Sequence, residues 1–197
     1  MHPILALFII NLVSVVLKFI SVQGTNSTSV FIDMLNDVGD VVGLGLLLLG
    51  LGFEKRRGGI MYPFGRRRAL YVMGLLSIMI FSGLIFAVAI YKTMSVLLEP
   101  VALLVKPYSI YFFAVAFVVN VLGLMILISN MRKKESDPAL TGGIIDSISD
   151  TSGSALALGT LISKIIILDI IGSLVLSGVI LISAITVGYR YFQVLIG

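Results

Sequence analysis

Six apolar stretches, each of about 20 residues or more, run through this chain, near 3–22, 29–53, 69–92, 108–130, 141–166 and 168–191. In hydrocarbon no water is present to satisfy backbone N–H and C=O groups, so a lone apolar segment of this length crosses lipid only as an α-helix. The expectation is an all-α membrane protein with six transmembrane helices, forming a single transmembrane domain over residues 1–197 with no soluble domain. The fifth stretch is the most polar, and hydropathy alone underrates it. Only a tight link around Lys164–Asp169 divides it from the sixth.

Composition agrees: mean hydropathy is +1.13, with 58% hydrophobic and 12% charged residues, which makes the bilayer the solvent. There is no cysteine, hence no disulfide, thiolate metal site or Cys nucleophile. A pI near 9.4 would suit nucleic acid, but the basic residues cluster in short loops, where topology explains them and no nucleic acid is needed. With both termini in the cytosol, Lys55, Arg56, Arg57, Arg66, Arg67, Arg68, Arg132, Lys133, Lys134 and Arg190 fall inside. Lys92, Lys106 and Lys164 fall outside, and Lys18 can snorkel outward from the first helix. The first helix lacks the basic start and the cleavage site of a signal peptide. Tyr108, Tyr111, Tyr189 and Tyr191 sit near span ends as interfacial anchors.

Within this apolar frame a few carboxylates stand out. Asp33, Asn36, Asp37 and Asp40 recur at i, i+3, i+4 and i+7 in the second span, one continuous helical stripe. Asp146 and Asp150 form an i, i+4 pair in the fifth. An aspartate at the centre of a membrane helix costs roughly 3 kcal/mol, so such residues face a bundle interior or cavity and mark ion or proton pathways. Asp33 lies near the outer end of its helix, where solvation or capping of the first turn also explains it. Asp146 and Asp150 lie one and two turns into their span, within reach of cytosolic hydration. Gly39 and Gly43 beside Asp40, and Gly142, Gly143, Ser149, Gly153 and Ala157 around the second pair, offer small faces for close helix approach. Such approach would bring Asn36, Asp40, Asp146 and Asp150 together as four oxygen donors, a divalent-cation set. Crowded carboxylates in low dielectric hold protons until a metal displaces them, which couples cation binding to proton release. Asn120 in the fourth span suits a hydrogen bond between helices.

The chain here resembles the transmembrane domain of the cation diffusion facilitator family. The second helix carries a D-x-x-[H/D/N]-x-x-x-D pattern as Asp33, Asn36 and Asp40. The loop Tyr62-Pro63-Phe64-Gly65-Arg66-Arg67-Arg68 is similar to the family's H-P-[YF]-G-x-x-R, with Tyr62 in the histidine's place. Asp146 and Asp150 match the fifth helix's [H/D]-x-x-x-D, and Asp169 stands where an aspartate often opens the sixth helix. The resemblance implies a homodimeric exporter of divalent transition metals at the cell membrane, driven by proton antiport through alternating access. Its transport site maps to Asn36, Asp40, Asp146 and Asp150, with Asp33 and Asp37 as accessory or proton-carrying groups. Family members usually add a C-terminal cytoplasmic domain, which these 197 residues do not include. The loop secondary metal site and the histidine-rich loop of zinc-transporting members are missing too.

An all-oxygen set favours Mn²⁺, then Fe²⁺ or Zn²⁺, over ions that demand imidazole; the one histidine, His2, is terminal. The Asn-Asp/Asp-Asp combination also resembles that of manganese-transporting branches. No prosthetic group is expected, only the transported metal, the proton and the lipid bilayer as partners. Three other readings stand beside the exporter. A proton-relay or structural subunit of a larger complex would show no metal dependence. A membrane enzyme would need a nucleophile–base set that is missing, and a channel would not need paired binding carboxylates.

Overall fold

The structure is a computed structural model and describes residues 3–54, 72, 75, 78–131 and 138–196. Among these residues it holds six α-helices: α1 (Pro3–Val22), α2 (Thr28–Glu54), α3 (Gly83–Leu98), α4 (Pro107–Met131), α5 (Pro138–Ser163) and α6 (Ile166–Ile196). A π-helical turn, Ile78–Ser82, leads into α3. Three of the six open on proline, whose fixed φ suits a first helical position and whose missing N–H would find no partner there. The α5–α6 link is only two residues long. Lys164 turns it by adopting a left-handed conformation (φ 53°) and donating its N–H to Thr160 O, so α6 reverses directly alongside α5.

The third helix departs from its expected bounds. It runs on to Leu98 instead of stopping at 92, so Lys92 lies within the helix, half-buried, with its ammonium 3.4 Å from the centre of the Phe31 ring. A cation over an aromatic face replaces part of the hydration that Lys92 would have had in a loop.

α1 packs on α2 and α4, α4 on α5, and α3 on α6; α2 touches α1, α3, α5 and α6 and is the hub. The molecule is polar inside and apolar outside. Leu12, Val16 and Phe19 of α1, Val118, Leu122 and Met125 of α4, and Ile171, Ile182 and Ile185 of α6 are exposed, whereas Ser14, Lys18, Asp33, Asp37, Asn120, Asp150 and Asp169 are buried. That distribution is the one lipid demands. Ile80–Leu98, Pro107–Ser129 and Ile166–Thr186 are each apolar and long enough to cross a bilayer. α2 and α5, which carry the carboxylates inward, are the least apolar of the six.

Two glycines explain the approach of the polar helices. A Cβ at Gly153 would meet Leu176 Cδ2 at 2.7 Å and Asp33 Oδ1 at 3.1 Å, so this glycine lets α5 lie against both α2 and α6. Gly39 has a different neighbour from the one expected. A Cβ there would run into Ile85 Cδ1 at 2.6 Å, so it admits α3, not α5.

Candidate cation site

The acidic stripe of α2 divides into two columns. Residues four apart stack along a helix, whereas residues three apart are offset by about 60°. Asn36 and Asp40 form the column that faces α5. The Asn36 amide nitrogen donates to Asp150 Oδ1 at 2.8 Å and to Asp40 Oδ2 at 3.3 Å, bridging carboxylates from two helices. Carboxylate oxygens of Asp37, Asp40 and Asp150 lie within 4.8 Å of one another. Oxygens that share one divalent ion at about 2.0–2.6 Å sit up to about 5 Å apart, so these three need little movement to converge. Asp40 and Asp150 each lie about 18 Å along their helices, near the middle of each.

Asp33 and Asp37 form the other column, and it faces α1. Lys18 Nζ makes ion pairs of 2.7 Å with Asp33 Oδ2 and with Asp37 Oδ1, and donates to Ser154 Oγ at 2.9 Å. Ser14 Oγ donates to Asp37 Oδ2 at 2.6 Å, Ser154 Oγ to Asp33 Oδ2 at 3.0 Å, and Asn120 Nδ2 to Ser154 Oγ at 3.2 Å. The Phe113 ring stands 5.7 Å from the ammonium. Four helices thus meet around one cation. Lys18 does not snorkel: it is 0% exposed. Two anionic partners and a hydroxyl satisfy all three ammonium donors in the interior, and a retreat to the interface would leave both carboxylates bare. Asp33 is likewise neither solvated nor a cap.

The cap of α2 comes from α6. Asp169 accepts from Thr28 N (2.7 Å), Ser29 N (3.1 Å), Ser27 Oγ (2.6 Å) and Ser29 Oγ (2.6 Å), and is itself buried. A carboxylate at that helix end satisfies orphan amide donors and lies at the positive end of the dipole. Asp169→Ala is expected to lower stability by about 3 kcal/mol, the sum of a lost cap and of hydrogen bonds to a charged group. Thermal denaturation in detergent measures it, with Asp169→Asn falling between parent and alanine.

A small cavity between α1, α4 and α5, bounded by Leu7, Ile10, Asn11, Asn120, Gly123, Ser147 and Asp150, touches the candidate site.

Of the expected residues, then, Asn36, Asp40 and Asp150 come together. Asp37 stands at the seam between the two columns, and Asp33 belongs to the Lys18 group alone. Asp146 lies on α5 one turn before Asp150, and its side chain is outside the described residues, as are the Glu54 side chain, the loop Tyr62–Arg68, the three basic loop clusters and His2. Asn120 makes its bond between helices. Sequence reasoning missed Lys18, Ser14 and Ser154. A signal was present, because Asn11, Ser14, Lys18 and Ser21 recur at spacings of 3, 4 and 3, a polar stripe along α1.

A bundle that is apolar outside and gathers acidic residues from two helices at its centre belongs to the integral, multi-pass membrane proteins that handle cations. The profile of the cation efflux transmembrane domain matches residues 4–196, and the chain belongs to this cation efflux family, a family of transporters. No curated protein sequence matches it.

Proposed function

We propose that the protein is a proton-coupled antiporter that exports a divalent transition metal, Mn²⁺ before Fe²⁺ or Zn²⁺, across the cell membrane. The substrate is held by Asn36, Asp40 and Asp150, with Asp146 as the fourth donor. The observation that carries the reading is the Asn36 bridge at 2.8 Å and 3.3 Å between Asp150 and Asp40, beside a third carboxylate, near the middle of both helices. The amide N–H₂ stands where a cation's positive charge would otherwise hold the two carboxylates together. Turning over about its own side-chain bond, the same amide offers an oxygen to a metal instead. An all-oxygen set of this kind suits Mn²⁺ better than ions selected by imidazole or thiolate. Metal binding requires deprotonated carboxylates, so each arriving ion releases protons that those groups hold when it is away. The family resemblance supports a homodimer.

Metal-driven proton movement in proteoliposomes tests this. Mn²⁺, Fe²⁺, Zn²⁺ and Mg²⁺ are applied in turn to vesicles loaded with a pH dye. The expected result is proton counterflow largest for Mn²⁺ and smallest for Mg²⁺, which sheds its water reluctantly. Absence of any metal-dependent flux would sink the antiporter and leave the proton-relay subunit.

A further inference from the structure

We propose that Lys18 closes the outward route from the candidate cation site, and that the Lys18–Asp33–Asp37 pairing must part for a cation to leave toward the outer face. The inference rests on the cation reading given above for Asn36, Asp40 and Asp150. α2 runs from the outer end inward and α5 from the inner end outward. Asp37 therefore lies three residues, and Ser154 four residues, to the outer side of Asp40 and Asp150, a step of about 5 Å. Lys18 and the groups that hold it fill that level completely: Lys18, Asp33, Asp37, Ser14 and Ser154 are each no more than 2% exposed.

Beyond this level the outer side stays shut. Ser27, Ser29, Thr160 and Asp169 interlock in a buried cluster. The outer loops are sewn together: Lys106 N donates to Gly24 O at 2.9 Å, Leu104 N to Asn26 Oδ1 at 2.7 Å, and Asn26 Nδ2 to Ala102 O at 3.0 Å. The opposite side differs. A small cavity there touches Asp150, lined by Leu7 and Asn11 of α1, Asn120 and Gly123 of α4 and Ser147 of α5; apart from Asn120, which bonds Ser154, these residues lie at levels toward the basic loops, which topology places in the cytosol. Asp150 thus borders a cavity on the side away from the wall.

Lys18 suits a gate better than an apolar plug would. Its ammonium occupies Asp37, a carboxylate on which a bound cation would otherwise draw. Asp37 also belongs to both levels, pinned to Lys18 through Oδ1 while its carboxylate lies within 4.8 Å of Asp40 and Asp150. Movement of Asp37 toward a bound metal takes one anchor from Lys18, so filling the site and loosening the wall become one event.

Single-cysteine labelling tests this, on a chain that contains no cysteine of its own. Ser147→Cys reports the cytosolic cavity. Ala157→Cys, buried one turn beyond Ser154 on the same face of α5, reports the outward route. In the parent, an impermeant thiol reagent applied at the cytosolic face is expected to modify Ser147→Cys and to leave Ala157→Cys, beyond the gate, untouched. The gate is weakened with Lys18→Gln/Asp33→Asn, which keeps the net charge of the group and replaces both ion pairs by hydrogen bonds. Reaction of Ala157→Cys from the cytosolic face should then accelerate at least about tenfold, the equivalent of 1.4 kcal/mol lost from the closed state. Should that variant fail to fold, Ser154→Ala removes one hydrogen bond from Lys18 and one from Asp33, and an acceleration of about threefold is expected. The proposal is overturned if Ala157→Cys reacts from the cytosolic face in the parent, if a folded gate variant leaves its rate unchanged, or if Ser147→Cys accelerates by the same factor. Labelling needs no metal. Failure of the gate would show with transport intact, and failure of the cation reading would show as absent flux with this labelling pattern intact.

Discussion

Lys18→Met lowers the stability of the folded protein by about 3–5 kcal/mol, the largest loss expected of any single substitution in this bundle. The reason is what it leaves behind. Asp33 and Asp37 are 1% and 2% exposed, 2.7 Å from the ammonium, and no other cation among the described residues stands with their hydrogen-bond partners. Methionine fills much the same volume, so the effect is electrostatic, not a cavity. The expectation has an internal control. A buried ion pair replaced as a unit by neutral groups is often tolerated, because desolvation offsets much of its attraction. Lys18→Met/Asp33→Asn/Asp37→Asn should therefore recover most of the loss. Thermal denaturation in detergent, followed by far-ultraviolet circular dichroism, compares the three chains. A single Met variant that melts with the parent would mean that water or lipid headgroups reach this level, contrary to the burial.

The second large effect falls on function. Asp150→Ala should weaken metal binding and metal-driven flux by about 100-fold or more. It removes a charged ligand from the smaller half of the site, and loss of one partner from a buried charged contact costs about 2–5 kcal/mol. Asn36 keeps Asp40 as an acceptor, and the Lys18 level stays intact. Asp150→Asn separates charge from shape: it preserves size and hydrogen bonding, and should still bind metal poorly. Calorimetric metal titration in detergent, together with vesicle flux, checks both variants. Asp150→Ala protein that binds and carries metal like the parent would remove α5 from the site.

Most of the architecture could be read from hydropathy, since lipid leaves an apolar stretch so few choices. The stripe on α2 could be read too, as a face. Its division into two columns could not. Asp33 and Asp37 differ from Asn36 and Asp40 only by a rotation of about 60° about the helix axis, and what separates them is which neighbour each column meets. That neighbour is α1 for one and α5 for the other, a fact of tertiary packing. Lys18 was misread for a related reason. A lysine near a helix end snorkels when nothing inside needs it. Its need became visible only once Asp33 and Asp37 were placed opposite. Gly39 shows the same limit: a small residue announces that something comes close, and the sequence alone does not say which helix.

The cap on α2 has a consequence for how the chain is made. The amides of Thr28 and Ser29 find their acceptor in Asp169, 141 and 140 residues later. A ribosome delivers the second helix long before it delivers the sixth. The α1–α2 hairpin leaves the translocon with Lys18 already able to pair with its two aspartates, so its charges travel into lipid together. Its outer turn, however, stays unfinished until the last helix arrives. Loss of the sixth helix would therefore be felt near the beginning of the chain as well as at its end.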